Sequence, residues 1–202
     1  VRSLRDDFAP ELWIALGEPA APAVFTQTEL LVAAGVIVVC GGTFLVGDNR
    51  RGFATALAVC LGGFLLLAAT LTLHQTGHLG GFAFMVLTGL GLYLAYVIIH
   101  TTAFERLLAI TREPGTIGFL MYVADAFGYL AYVVVILGRG WLEPLIGLHQ
   151  SNQLAVFISV SWVVTGFSVF WLAVAWWNRP GRARDVAALA GGDISRNEGQ
   201  RL

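Results

Sequence analysis

The run GTIGFLMYVADAFGYLAYVVVILG at residues 115–138 says more about this chain than any other part of its sequence. It is long enough to cross a bilayer as an α-helix, which takes about 20 apolar residues. Asp125 is the single charged residue in the run, and a carboxylate at mid-membrane depth costs about 2.5–3.5 kcal/mol on insertion scales. Such a residue normally faces protein or water. The run therefore predicts a transmembrane helix on the wall of a pathway or a cavity.

The composition of the chain is that of a membrane protein. Of its 202 residues, 57% are hydrophobic and 12% are charged, whereas about 25% of the residues in soluble domains are charged. Further apolar runs of spanning length surround the first, and they lack the alternation of a membrane β-barrel. The sequence predicts an all-α, polytopic membrane helix bundle. Its five complete transmembrane helices are expected at residues 24–46, 52–73, 80–100, 115–138 and 154–177.

The two ends of the chain are predicted to lie outside this bundle. Residues 1–23 begin with charged side chains and hold no signal-peptide pattern. We interpret them as the end of a truncated helix and an external loop, so the missing N-terminal half of the same protein is an expected partner. Residues 178–202 contain several Arg, Gly and Asp residues, which predicts a disordered cytoplasmic tail.

The arginines predict the orientation of the helices. They follow the first, third and fifth predicted helices, and the opposite loops hold only Arg139. The arginines of the first group are Arg50, Arg51, Arg106, Arg112, Arg179, Arg182 and Arg184. Because cytoplasmic loops are enriched in arginine and lysine, we expect these three regions and the C-terminus in the cytoplasm.

Polar side chains form one stripe on each of two neighbouring predicted helices. The third helix carries Gly89, Tyr93, Tyr96 and His100, at spacings that place them on one face. The fourth carries Gly118, Tyr122, Asp125, Tyr129 and Tyr132 in the same way. The two stripes are expected to face one another or a shared cavity, or else the tyrosines only pack between helices. By contrast, residues 52–73 have almost nothing polar at their centre and are predicted to face lipid.

Several alternatives remain open for the titratable groups. A histidine titrates near neutral pH, so His100 is interpreted as a substrate contact, a proton relay or a neutral bridge between helices. Asp125 is a proton carrier, an ion-pair partner or a permanently protonated side chain bonded to Tyr122 or Tyr129. Around one predicted cytoplasmic loop, four charges form a gate-like ion-pair cluster or a simple solvated loop. They are Glu105, Arg106, Arg112 and Glu113.

Motifs for other kinds of function are missing from the sequence. His74 and His78 have a metal-compatible spacing, but they lie in a glycine-containing loop without a third ligand, so no metal site is predicted. Cys40 and Cys60 lie in different spans and are interpreted as small hydrophobic residues. The zinc-protease, nucleophile-elbow and phosphate-loop patterns are absent. We expect neither an enzyme nor a cofactor, and the net charge of −1 indicates no nucleic-acid partner.

Several segments resemble those of one protein family. They are GTIGFLMYVADAFGYL at 115–130, GLGLYLAY at 89–96, FERL at 104–107, RSLRDDF at 2–8 and FTQTE at 25–29. Together they resemble an uncharacterised bacterial multi-pass membrane family whose members look like major facilitator superfamily transporters. The resemblance implies the C-terminal half of a twelve-helix secondary transporter in the bacterial cytoplasmic membrane. Residues 24–46 would be its eighth helix and residues 154–177 its twelfth.

The resemblance also implies a function. An unknown small-molecule substrate would cross the bilayer by alternating access, bound near the midplane between the two halves of the protein. Residues 80–100 and 115–138 would border the cavity, and Arg2 or Arg5 would be the nearest positive partner of Asp125. The two arginines suit a carboxylate or phosphate if they lie in a cavity, or are solvated charges if they lie at a helix end. Two alternatives are a structural or signalling membrane subunit without transport and an intramembrane enzyme.

Overall fold

The protein is mostly helical in the part of the chain that the structure describes. The computed structural model describes residues 1–111, 116–146 and 153–177, and none of these lies in a strand. In chain order the helices are α1 (Arg2–Asp7), α2 (Ala9–Ala15), α3 (Pro22–Thr43), α4 (Asn49–Gln75), α5 (Gly81–Ile98), a π-helical turn (Ile99–Ala103), α6 (Phe104–Thr111), α7 (Ile117–Ile146) and α8 (Gln153–Trp177). The predicted all-α helix bundle is therefore confirmed.

Helices that are long and apolar enough to cross a membrane make up most of the described chain, and the protein is an integral membrane protein. The five are Pro22–Thr43, Asn49–Gln75, Gly81–Thr111, Ile117–Gly138 and Gln153–Trp177. The third runs to Thr111 and passes the predicted end at His100, because the π-helical turn joins α5 to α6 without a break. Arg112, Glu113 and the predicted tail at residues 178–202 lie outside the described residues.

The two short N-terminal helices run antiparallel along α5. Arg2 of α1 lies over the Tyr96 ring, whereas Trp13 of α2 packs against Phe82 at the start of α5. Helix α2 ends at Ala15, and the chain then turns at Gly17, whose φ of 77° is left-handed. The Glu18 N–H donates to the Trp13 carbonyl oxygen across this turn. This pairing sets the charged side chains of α1 beside the middle of α5.

Two glycines allow α4 and α5 to touch through their backbones. A Cβ atom at Gly63 would lie 2.7 Å from the Gly91 carbonyl oxygen, and one at Gly91 would lie 2.7 Å from the Gly63 carbonyl oxygen. Small residues permit such close approach between membrane helices. Apolar clusters on either side of the contact bury Leu67, Leu71, Phe84, Met85 and Phe157 in one and Ala56, Cys60, Ile98 and Cys40 in the other.

The structure leaves only one face of residues 52–73 free for the predicted contact with lipid, the face on which Gly62, Leu65 and Ala69 are exposed. Helix α4 packs along α5 and α8, and Leu67 and Leu71 on it are fully buried. Lipid tails and apolar side chains are equally apolar, so the absence of polar residues does not separate a lipid-facing helix from a packed one. Small residues such as Gly63 are what indicates a packed helix face in the sequence.

The glycine contact gives a test of the packing. We expect Gly63→Val to destabilise the protein by about 1–3 kcal/mol, because the new side chain overlaps the α5 backbone. Gly62→Val is the matched control, since a Cβ atom at Gly62 meets nothing within 4 Å. Equilibrium unfolding in mixed micelles measures both variants. Equal stability of the two would show that the backbone contact is absent.

Candidate functional site

A row of polar groups follows one face of α5 and continues into the π-helical turn. Gly89, Tyr93, Tyr96 and His100 lie on this face, as their spacing predicts, and each contacts a charged side chain of another element. The partners come from α1 and α7, and α3 adds Glu29. We call this set the α5 polar row.

Arg5 is the most buried charge of the row, with 2% of its side chain exposed. Its Nη2 donates to Glu29 Oε1 at 2.8 Å and to the Met85 carbonyl oxygen at 3.2 Å, and its Nη1 donates to Asp6 Oδ1 at 3.1 Å. A Cβ atom at Gly89 would lie 2.8 Å from Nη2. The guanidinium therefore occupies space that only a glycine on α5 leaves free.

The carboxylates around Arg5 are much more open than Arg5 itself. The Glu29 side chain is 50% exposed and that of Asp6 is 39% exposed. Arg5 Nε is buried and has no hydrogen-bond partner. A buried cation with carboxylates on its open side gives the row an acidic rim along α1 and α3.

Two tyrosines of α5, Tyr93 and Tyr96, contact the charged side chains of α1. The Tyr93 hydroxyl donates to Asp6 Oδ2 at 3.0 Å. The Arg2 guanidinium carbon lies 4.1 Å from the centroid of the Tyr96 ring and 5.6 Å from that of Tyr93. Both distances are within the range of cation–π attraction, which is worth about 0.5–2 kcal/mol. Aromatic faces thus stabilise the second cation of α1 without a carboxylate.

His100 ends the row inside the π-helical turn. Its Nδ1 lies 2.9 Å from the Tyr96 carbonyl oxygen and its Nε2 lies 3.1 Å from Asp125 Oδ1. The ring also packs on the Tyr96 ring, with 4.1 Å between centroids. The side chain is 11% exposed, compared with 38% for Asp125. Single π-type turns within α-helices occur frequently at functional sites, and this one presents an imidazole to α7.

Helix α7 meets the row through two of the residues on its predicted stripe. Asp125 contacts His100, and the Tyr132 hydroxyl donates to Asp7 Oδ2 at 2.6 Å. Tyr122 and Tyr129 are instead 79% and 61% exposed. The expected pairing of Asp125 with Arg2 or Arg5 is replaced by the pairing with His100. Arg2 is held over the Tyr96 ring, and Arg5 is held by Glu29, Asp6 and the Met85 carbonyl oxygen.

Glu29, Asp6 and Asp7 belong to the site although they are not among the site residues that the sequence predicts. Glu29 is the only charged residue of the first transmembrane helix. It therefore carried the same signal that drew attention to Asp125, a single charge within an apolar span. For Asp6 and Asp7 no such signal exists, because they follow other charged residues at the start of the chain.

The predicted gate and the histidine loop have ordinary local contacts where the structure describes them. Arg106 Nη1 donates to Asn49 Oδ1 at 2.6 Å and Nη2 donates to the Val46 carbonyl at 3.3 Å, and Glu105 is exposed. The ion-pair gate stays a prediction, since two of its members lie outside the described residues. His78 contacts Thr76 and His74 packs on Phe84. The described residues hold no group of three metal-ligating side chains.

The dependence of Arg5 on Gly89 gives a test of the site. Gly89→Ala places a methyl group against the guanidinium, so we expect it to destabilise the protein. Arg5→Met removes the guanidinium, and we expect the double variant to recover about 0.5–3 kcal/mol relative to additive effects. Unfolding in mixed micelles measures this coupling. Arg5→Met with Gly62→Ala is the control cycle and should be additive. Additivity in both cycles would show that Arg5 does not pack against Gly89.

The comparisons with known proteins identify a family and no individual relative. The model of the family described as a family of unknown function, DUF5690, matches residues 1–178. No curated protein and no solved structure matches the sequence. The matched residues include every helix described above, together with the whole α5 polar row. This integral membrane helix bundle belongs to the DUF5690 family.

Proposed function

We propose that this chain is the C-terminal half of a secondary transporter, similar in organisation to the major facilitator superfamily, that moves a small solute by alternating access. The observation that carries the proposal is the α5 polar row, which brings charges from α1, α3 and α7 together along one membrane helix. Charged side chains within membrane spans are costly and normally mark a substrate or ion pathway. Glu29 and Asp125 lie in such spans and are 50% and 38% exposed.

The spread of the row supports transport over catalysis. Met85 and His100 mark its two ends, and the fifteen residue steps from one to the other correspond to about 22 Å at a rise of ~1.5 Å per residue. A reaction centre needs its groups around one point, within about 3 Å of the reacting atoms. A pathway needs them in sequence along the direction of movement, as they are found here.

A membrane subunit without transport is the second candidate, and a specific observation favours it. Arg5, His100 and Tyr132 all have hydrogen-bond partners within the chain, as expected of polar contacts that only hold helices together. The two candidates differ in whether water reaches the row. In a structural subunit the open side of the row is covered by lipid or by another protein at all times.

Water access to the row is therefore the decisive experiment. Single cysteines at Tyr93 and Tyr96, in a chain with Cys40 and Cys60 replaced by alanine, are treated with a charged, membrane-impermeant thiol reagent. We expect both to react, and to do so from either side of the membrane. Val38→Cys, exposed on α3, and Leu67→Cys, buried on α4, are controls expected not to react. If the row cysteines are as unreactive as these controls, the structural subunit replaces the transporter.

We also propose a bacterial cytoplasmic membrane as the location, with the arginine-rich loops and the C-terminus in the cytoplasm. The support is the positive-inside rule applied to Arg50, Arg51 and Arg106. All three lie at one end of the helix bundle, because Arg106 of α6 contacts Asn49 and Gly52 at the start of α4. In intact cells, an impermeant thiol reagent should label Gly77→Cys and leave Asn49→Cys unlabelled until the membrane is opened. The reverse labelling pattern would invert the orientation.

A further inference from the structure

The His100–Asp125 contact constrains the number of protons that the pair can hold. His100 Nδ1 faces a carbonyl oxygen, the oxygen of Tyr96, at 2.9 Å, and a carbonyl oxygen can only accept. Nδ1 must therefore carry a proton. The second ring nitrogen, Nε2, faces Asp125 Oδ1 at 3.1 Å, and this contact also needs one proton between its two atoms. Both contacts are satisfied only when the pair holds two protons.

Removing one of these protons leaves two acceptors face to face. If Nδ1 keeps its proton, the lone pair of Nε2 points at a carboxylate oxygen. If Nε2 takes the proton instead, the lone pair of Nδ1 points at the Tyr96 carbonyl oxygen. Unpaired polar groups in a membrane interior are costly, so the singly protonated pair does not stay in this arrangement. Loss of one proton and separation of His100 from Asp125 are therefore linked.

From this geometry we infer that His100 and Asp125 form a proton-binding site that joins α5 to α7 when the proton is bound and releases α7 when the proton leaves. The proton passes between Nε2 and Oδ1 and exits to water at Asp125, the more exposed of the two side chains. No covalent bond forms or breaks other than the N–H or O–H bond to that proton. The inference rests on the proposed function in one respect, that binding of this proton is coupled to solute transport.

The titratable and charged groups around the pair are held in other contacts or are exposed, so proton exchange is confined to His100 and Asp125. From α5, Tyr96 provides its carbonyl oxygen and its ring, and from α1, Arg2 lies over that same ring. From α6, Glu105 is exposed and Arg106 is bonded to Asn49. From α4, Cys60 lies in the buried apolar cluster. On α7, Tyr122 is the nearest titratable group in sequence and is 79% exposed.

The half of helix α7 around Asp125 is suited to such release, because the apolar contacts of α7 with the core lie further along the helix, at Tyr132, Val135 and Ile136. No residue of Ile117–Gly138 is buried, so the helix lacks the tight packing that fixes α4 against α5. The side-chain hydrogen bonds that join it to the rest of the described chain are those of Asp125 and Tyr132. Loss of the His100–Asp125 contact therefore removes one of these two hydrogen bonds.

Distances between spin labels on α6 and α7 test the inference. Labels at Ala109→Cys and Phe127→Cys, both exposed positions, are placed in a chain without Cys40 and Cys60 and studied in nanodiscs. From about pH 5 to about pH 8, where histidines change charge, we expect one short distance to become longer and broader. The measurement uses no solute and no gradient, so it can succeed even if the chain transports nothing.

Two variants of Asp125 and one control make the test specific. In Asp125→Asn the carboxamide donates to Nε2 of the neutral ring and accepts from it when the ring is protonated, so the distance should stay short throughout. Asp125→Leu should give the long distance throughout. The control Tyr122→Phe should respond to pH as the parent does. A parent distance that is independent of pH, or a pH response that survives in Asp125→Asn, would overturn the inference.

Discussion

The burial of the Arg5 guanidinium is the constraint on which the rest of the site depends. A charge in this position needs partners, and its two terminal nitrogens take them from its own helix, from α3 and from the α5 backbone. It also needs room, which the missing side chain of Gly89 provides. Because these partners lie on three elements, the position of Arg5 fixes α1 against α5 and brings Glu29 of α3 to the same place.

The remaining contacts of the row follow from the way α1 lies against α5. The two helices run antiparallel, so Asp6 reaches Tyr93 and Arg2 reaches Tyr96, one turn further along. Asp7 is left on the side that meets Tyr132 of α7. A single buried cation therefore sets the register of a polar surface that spans three membrane helices, and α7 joins this surface mainly through hydrogen bonds.

The sequence was sufficient for the helices and for the polar faces, and insufficient for their partners. Apolar runs of spanning length and a spacing of three or four residues are local properties, which is why the row from Gly89 to His100 could be predicted. Which charge meets Asp125 depends on how α5 and α7 lie together, and residue spacing within one helix does not contain that information. The π-helical turn also has no simple sequence signal, so the predicted helix ended at His100 instead of continuing to Thr111. The packed face of helix α4 was not predicted, because apolarity alone is the same toward lipid and toward protein.

Tyr96 lies between two basic side chains of the row, Arg2 and His100. Its ring centroid lies 4.1 Å from the Arg2 guanidinium carbon and 4.1 Å from the centroid of the His100 ring. A protonated imidazole and a guanidinium both seek the negative face of an aromatic ring, and two cations beside one ring also repel each other. When the imidazole carries both protons, the Asp125 carboxylate that it contacts offsets this repulsion. When the proton leaves and the pair separates, the electrostatic surroundings of Arg2 change as well. A change at the His100 end of the row thus reaches Arg2 of α1 through one aromatic side chain, without any movement of the closely packed α4–α5 pair.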